Sequence, residues 1–282
     1  MIFSSPPEQL AADFAFLEGP VWCPPESAAA RVAGLTRGGL LFSDLERDRI
    51  HWWQDARVGV FREPSEAANG NTLDCEGRLV TCEHATRRVT RTGRDGVPEV
   101  LAGRWRGSRL NSPNDITSGS NGWLYFTDPP YGVQHDEREL PVQGVFRLDG
   151  AAGTVDLEVD DFEKPNGLAL SPDQATLYVA DTARGHLRAF DVAADGHLSG
   201  GRLFCEVARP DGVRVDVHGR LYVAALTGVT VFGPGGETVA TLELPERPAN
   251  LTFGEDGRSL FICARTGLYR VRTREPGFRL AA

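Results

Sequence analysis

Six short segments set an oxygen-bearing or small side chain after a turn marked by Pro or Gly and just before a strand-like run. They are Glu18 in "FLEGPVW", Asn69 in "ANGNTL", Asn114 in "RLNSPNDI", Asn166 in "KPNGLAL", Asp211 in "RPDGVRV", and Ala249 or Asn250 in "RPANLTF". If the six positions are equivalent, they collect two carboxylates and at least three carboxamides in one place. Hard oxygen donors converging without sulfur or imidazole suit Ca2+, Mg2+ or Mn2+ rather than zinc or copper. A divalent ion polarises a carbonyl and lowers the pKa of bound water, which suffices for hydrolysis without a covalent nucleophile. The plainer reading is that Asn and Asp stand at turns because their side chains bond nearby backbone. Glu18 departs from it, since Glu is not a favoured turn former and here precedes a strand that should be burying itself. A carboxylate in a low-dielectric channel mouth costs several kcal/mol unless paired or metal-bound. No Arg or Lys occupies the equivalent positions.

Other chemistries lack their signatures. The chain has no G-x-S-x-G elbow, H-E-x-x-H, C-x-x-C, phosphate-binding P-loop or dinucleotide-binding glycine fingerprint.

The elements that must hold these residues come from a repeat. "SPNDITSGSNGWLYFTDPPYG", "KPNGLALSPDQATLYVADTARGHLRAF", "RPDGVRVDVHGRLYVAALTGVTVF" and "RPANLTFGEDGRSLFICARTGLYRV" each run Pro turn, short strand, Gly- or Asp-marked turn, aromatic-rich strand. Weaker copies begin at Glu18 and Ala68, making six units spaced by roughly 38 to 52 residues. That period matches a four-stranded propeller blade. Runs of five to seven residues rich in β-branched and aromatic side chains, with no sustained 3.6-residue period, leave little room for helix. The expected fold is a single all-β domain over 1–282: a six-bladed β-propeller with four antiparallel strands per blade. The last unit shows only three strands, so its fourth is expected from the N-terminal stretch around "LAADFAFLEG", which would close the ring and hide both edges. The first residues of the innermost strands would then meet at one mouth of the central channel.

Composition limits the partners. Of 282 residues, 41% are apolar and 24% charged, ordinary for a globular chain that buries a full core. The 39 acidic and 30 basic residues give a net charge of −9, and no basic block is available to neutralise a phosphate backbone. Nucleic acid and membrane are not expected partners. The N-terminus has no basic region followed by an apolar core, and no apolar run spans a bilayer, so a cytoplasmic location is expected. Five scattered cysteines fit a reducing compartment, with a Cys75–Cys82 bridge across a hairpin left open. No feature encodes an oligomeric state.

Taken in order, "FLEGPVW", "RLNSPNDI", "YFTDPPYG", "KPNGLALSPD", "LYVADT" and "RPDGVRVD" resemble the SMP-30/gluconolactonase family. "CEHATRRVTR" with "RLNSPND" and "FTDPPYG" is most similar to its bacterial gluconolactonase branch, and the resemblance runs from about Phe16 to about Arg270. It implies a six-bladed propeller with a divalent cation at the channel mouth. By matching motif it assigns Glu18, Asn166 and Asp211 as metal ligands, with Asn114 facing both metal and substrate. Regucalcin-like members carry an Arg two positions before this Asn where this chain has Ser112, which leaves Arg109 or Asn111 as the expected substitute.

The implied reaction is metal-assisted hydrolysis of an aldonolactone to its aldonic acid, with Glu18 and Asp211 as the catalytic carboxylates and Asp211 as ligand and general base. The expected cofactor is a divalent cation, Ca2+ first, with Mg2+, Mn2+ and Zn2+ as alternatives. Competing readings are a paraoxonase-like lactonase or arylesterase, and a non-enzymatic binding propeller with a structural cation. His84, from the shared "CEH", is expected to reach the mouth and contact substrate. Tyr131 opens a long connection, 131–144, of the kind that forms lids or specificity elements, and is expected to stack on a sugar ring. Asp115 falls where other units have Gly167 and Gly212, so a turn-stabilising role is expected for it. Asp44, Asp128 and Asp181 recur in three units and read as turns that stabilise each blade.

Overall fold

Each marked turn opens onto a strand whose first residue is buried, and each such strand is the innermost of a four-stranded antiparallel sheet. The structure is a computed structural model and describes residues 2–278. Blade one comprises Leu17–Cys23, Gly39–Asp44, Arg49–Gln54 and Arg57–Arg62; blade two Ala68–Leu73, Leu79–Glu83, Arg88–Thr92 and Pro98–Ala102. Blade three comprises Ile116–Ser118, Trp123–Asp128, Gly144–Asp149 and Val155–Val159; blade four Pro165–Leu170, Thr176–Asp181, His186–Val192 and Leu198–Glu206. Blade five comprises Val213–Val215, Leu221–Ala224, Gly228–Phe232 and Thr238–Glu243. Blade six has Asn250–Gly254, Ser259–Ala264 and Gly267–Arg272, and takes its outer strand, Glu8–Ala11, from the N-terminus in antiparallel register with Glu8 opposite Arg270. The six sheets form the ring of a β-propeller, as expected.

The closing strand lies a few residues earlier than "LAADFAFLEG", for a local reason. The amides of Ala15 and Phe16 both donate to the buried Asp44 carboxylate, which ties that stretch to blade one instead. Asp128 accepts from the Asn111 amide and Asp181 from those of Glu163 and Lys164. These recurring aspartates therefore pin the chain as it enters an innermost strand, which fixes the direction of the residues that follow.

The core lies between blades rather than inside any one of them. Ala180 and Leu187 of blade four pack with Val213 and Val223 of blade five, and Trp22 of blade one stacks on Phe261 of blade six at 5.6 Å. Burial of these faces is what drives closure, because a lone four-stranded sheet would expose both of its surfaces. Among the described residues, helix is confined to Ala28–Ala33, capped by the Ser27 hydroxyl on the Ala30 amide, and a 3-10 turn at His135–Glu137. All five cysteines are free, so Cys75 and Cys82 form no bridge. Among the described residues, no helix is long and apolar enough to cross a membrane.

Candidate functional site

Equivalent backbone bonds fix the ring. The amides of Asn114, Asp211 and Ala249 each donate to a carbonyl of the next strand of their own blade, at Thr127, Ala224 and Cys263, all at 2.8 Å. Ala249, not Asn250, is therefore the ring residue of blade six. Glu18, Asn69, Asn114 and Asn166 are 4–5% exposed and Asp211 9%. The side chains expected on one ring are thus buried together at one end of the channel.

One residue deeper, the blades present Gly19, Gly70, Asp115, Gly167, Gly212 and Asn250. Four of these are glycines because neighbouring backbones touch there. A Cβ at Gly19 would overlap the Asn69 carbonyl, and one at Gly167 the Asp211 carbonyl. Only blades three and six carry side chains in this layer, and these meet across the channel. Asn250 Nδ2 donates to Asp115 Oδ2 at 3.4 Å and to Glu18 Oε2 at 3.1 Å. Arg214 Nη1 approaches Asp115 Oδ2 from below at 3.8 Å. Asp115 does bond the Ile116 amide as a turn residue would, but its second oxygen forms the floor of the site. The turn-stabilising role expected for it is therefore too narrow.

Three buried carboxylates at one channel end raise each other's cost of ionisation. Burial, then Asp211 and Asp115, pushes Glu18 well above the ordinary carboxylate range. Burial pushes Asp211 up to about 7 although Arg247 pulls the other way, and burial also raises Asp115 against the pull of Arg214. The donor set has capacity to spare. Hydrogen bonds to Glu18 fall on Oε2 alone, and the Asn114 carboxamide has no partner among the described residues. Carboxyl groups whose ionisation is penalised, with oxygen donors unspent, fit a divalent cation that would favour their charged forms.

Arg247 escapes a reading by equivalent positions. It stands two residues before Ala249, and its Nη2 reaches Asp211 Oδ2 at 3.2 Å, in the sector where blade six offers no polar ring side chain. Its only signal in the sequence is the apolar residue at the sixth ring position.

The rim is built by blades two to four. Tyr131 is exposed; the Thr182 and Asn166 side chains lie near its hydroxyl, and Lys164 Nζ sits 5.0 Å from its ring centre. His84 is buried, and its Nε2 lies 3.1 Å from Asn69 Nδ2. Burial holds its imidazole down at about 4. Asn111 and Arg109 are held by other contacts. The Asn111 carboxamide donates to the Asp128 and Val142 carbonyls, both at 2.9 Å, anchoring the 131–144 connection. Arg109 is paired with the Glu139 carboxylate on an exposed face.

Two other features differ in character. Asp156, Glu158 and His197 bring potential metal-binding atoms together, but the Arg147 guanidinium already pairs with both carboxylates and contacts the imidazole, so a cation is in place there. A cavity of about 930 Å³ opens at the opposite end of the channel, lined by Trp22, Thr72, Ser118, Arg214 and Phe253. The Asp115–Asn250 contact stands between it and the carboxylate ring.

The family described as SMP-30/Gluconolactonase/LRE-like region matches residues 16–266. A gluconolactonase of Zymomonas mobilis is 33% identical, over 97% of this chain and 83% of its own length. A 6-deoxy-6-sulfogluconolactonase of Pseudomonas putida is 37% identical, over 79% of this chain and 78% of its own. The solved structure of a gluconolactonase from Xanthomonas campestris superposes with a TM-score of 0.85 at 34% identity, covering 95% of this chain and 89% of that one.

Proposed function

The chain belongs to the SMP-30/gluconolactonase/LRE-like family and is a lactone-hydrolysing enzyme, a carboxylic ester hydrolase; from that premise we propose that it is a cation-dependent sugar lactonase acting on an aldonolactone. The observation that carries this reading is the crowding of Glu18, Asp115 and Asp211 at the channel end, with oxygen donors of Glu18 and Asn114 unspent. Glu18, Asn114, Asn166 and Asp211 would hold the cation, Ca2+ first, which when bound supplies Lewis-acid polarisation of the lactone carbonyl and acidifies water.

The protein's own groups then divide the work. Asp211 takes a proton of the attacking water on a carboxylate oxygen as water adds to the lactone carbonyl carbon; the ring C–O bond breaks, and the released alkoxide takes that proton back from Asp211, which gives the aldonic acid and restores the carboxylate. Glu18, held by the Gly19 amide and by Asn250, keeps its free oxygen directed at the cation seat. Asn114 faces both cation and substrate. Tyr131 covers the mouth beside Asn166 and limits access of bulk water. Asn111 serves the substrate indirectly, by fixing the connection that carries Tyr131, and Arg109 lies beyond that connection.

A panel of aldonolactones assayed against Ca2+, Mg2+, Mn2+ and Zn2+ on chelated protein tests the reading. Hydrolysis of at least one aldonolactone restored by at least one cation supports it. Thermal stabilisation by cation with no lactone hydrolysed under any metal would leave a binding scaffold with a structural ion.

A further inference from the structure

Asn69 holds a ring position between those of Glu18 and Asn114 but has no place in the set of cation ligands proposed above. It is 4% exposed, yet its Oδ1 is buried without any hydrogen-bond partner. A buried carboxamide oxygen without a partner carries an uncompensated desolvation cost, so such an atom points to something that binds it. Its Nδ2 is committed to His84 Nε2 at 3.1 Å. His84 is 6% exposed and packed at its Cβ and Cγ against Gly132, the residue after Tyr131.

The contact fixes what the pair has to offer. Burial keeps the imidazole neutral near pH 7, since its pKa is held down at about 4. With Nε2 accepting from Asn69, the single ring proton resides on Nδ1, which has no partner among the described residues. The pair therefore presents an acceptor, Asn69 Oδ1, beside donors, His84 Nδ1–H and the second Asn69 Nδ2–H. Turning the carboxamide over makes Asn69 Nδ2 the donor and His84 Nδ1 the acceptor, so donor and acceptor still stand side by side. A donor beside an acceptor complements a hydroxyl group, or two neighbouring hydroxyls, each of which both gives and receives a hydrogen bond.

We propose that Asn69 and His84 form a hydroxyl-reading wall of the site, a specificity element that selects hydroxylated sugar lactones over lactones of bare hydrocarbon rings. The inference rests on the lactonase reading for the identity of the substrate, but the wall itself requires only a polyol in the channel mouth. A site built to bond a hydroxyl rejects the analogue without it far more strongly than an apolar pocket rejects a missing methylene, because buried polar groups are then left unpaired.

The test compares Asn69→Ala and His84→Ala with the parent on glucono-1,5-lactone and on δ-valerolactone, the same ring without hydroxyls. The ratio of the two kcat/KM values is expected to fall at least 10-fold in each variant, through KM more than kcat. Cation affinity measured by calorimetry is expected to stay within about 3-fold of the parent. Equal losses on both lactones, or no change in the ratio, would overturn the proposal. Asn69→Ser and His84→Gln replace the alanine variants where those do not fold, with the same expectation for the ratio. Binding of 1,5-anhydroglucitol, which keeps the ring hydroxyls but has no carbonyl, separates the wall from the chemistry. If the parent hydrolyses no lactone yet binds this polyol, and the variants bind it at least 5-fold more weakly, the wall stands and the lactonase reading falls. If the polyol does not bind the parent, or binds parent and variants alike, the wall falls.

Discussion

The carboxamide of Asn250 donates to Glu18 Oε2 at 3.1 Å, and the same nitrogen reaches Asp115 Oδ2 at 3.4 Å on the blade across the channel. One side chain from blade six thus spans the floor of the site and orients the carboxylate proposed to face the cation.

Replacing that side chain should be felt in two measurements. Asn250→Ala removes the donor shared by two buried carboxylates and should lower the stability of chelated protein by about 1–3 kcal/mol, read from denaturant midpoints. Cation affinity should weaken as well, because Glu18 loses its orientation. A variant as stable as the parent, with unchanged cation affinity, would show that the contact positions nothing.

The layer that Asn250 shares with four glycines makes a separate demand. Gly167→Ala forces a methyl group into the Asp211 carbonyl oxygen, a backbone atom that cannot swing aside. A loss of about 1–3 kcal/mol is expected, the usual range for an overpacked interior, together with weakened cation binding because the Asp211 backbone must move. Thermal unfolding with and without cation checks both.

The raised carboxyl of Asp211 sets a pH dependence. Between the ordinary Asp value of about 4 and about 7, the folded chelated protein holds a proton that the unfolded chain has released. Stability of the chelated protein should therefore be greatest below that interval and fall as pH rises through it. Cation binding displaces the proton, so affinity should rise with pH through about 7 and level off above, with proton release measurable by calorimetry in buffers of different ionisation enthalpy. Affinity that is flat from pH 5 to 8 would contradict the placement of this carboxylate in the cation seat.

How much of this was legible in the sequence varies from residue to residue. The ring positions of Glu18, Asn69, Asn114, Asn166 and Asp211 can be read directly, because Pro and Gly turns mark where each innermost strand begins and the repeat makes those starts equivalent. Ala249 and Asn250 could not be told apart until the amide-to-carbonyl bond of Ala249 fixed the register. Asp115 reads as a turn residue because the next layer is glycine in four blades, and nothing in the spacing says that Asn250 would meet it across the channel. Arg247 and Arg214 are invisible to position-matching, since where a long side chain ends depends on its rotamer and not on its register. The early placement of the closing strand turns on the Ala15 and Phe16 amides being taken by Asp44, a long-range contact without local signature.

The assignment of Asp211 as proton acceptor has its own test. Asp211→Asn keeps the shape but removes the base, and should lower kcat by about 10²–10⁴, the range for a positioned acid or base. An Asn variant that binds cation as the parent does and retains parental turnover would remove Asp211 from that role.

Lactone hydrolysis is proposed to depend on a divalent cation held by the carboxylate ring. Its most direct measurement is the rate of acid release from glucono-1,5-lactone, above spontaneous ring opening, by chelated protein before and after Ca2+ is restored. Turnover should fall to the background rate on chelation and return on titration with Ca2+, while Glu18→Gln does not recover. Parental turnover by fully chelated protein would contradict that dependence.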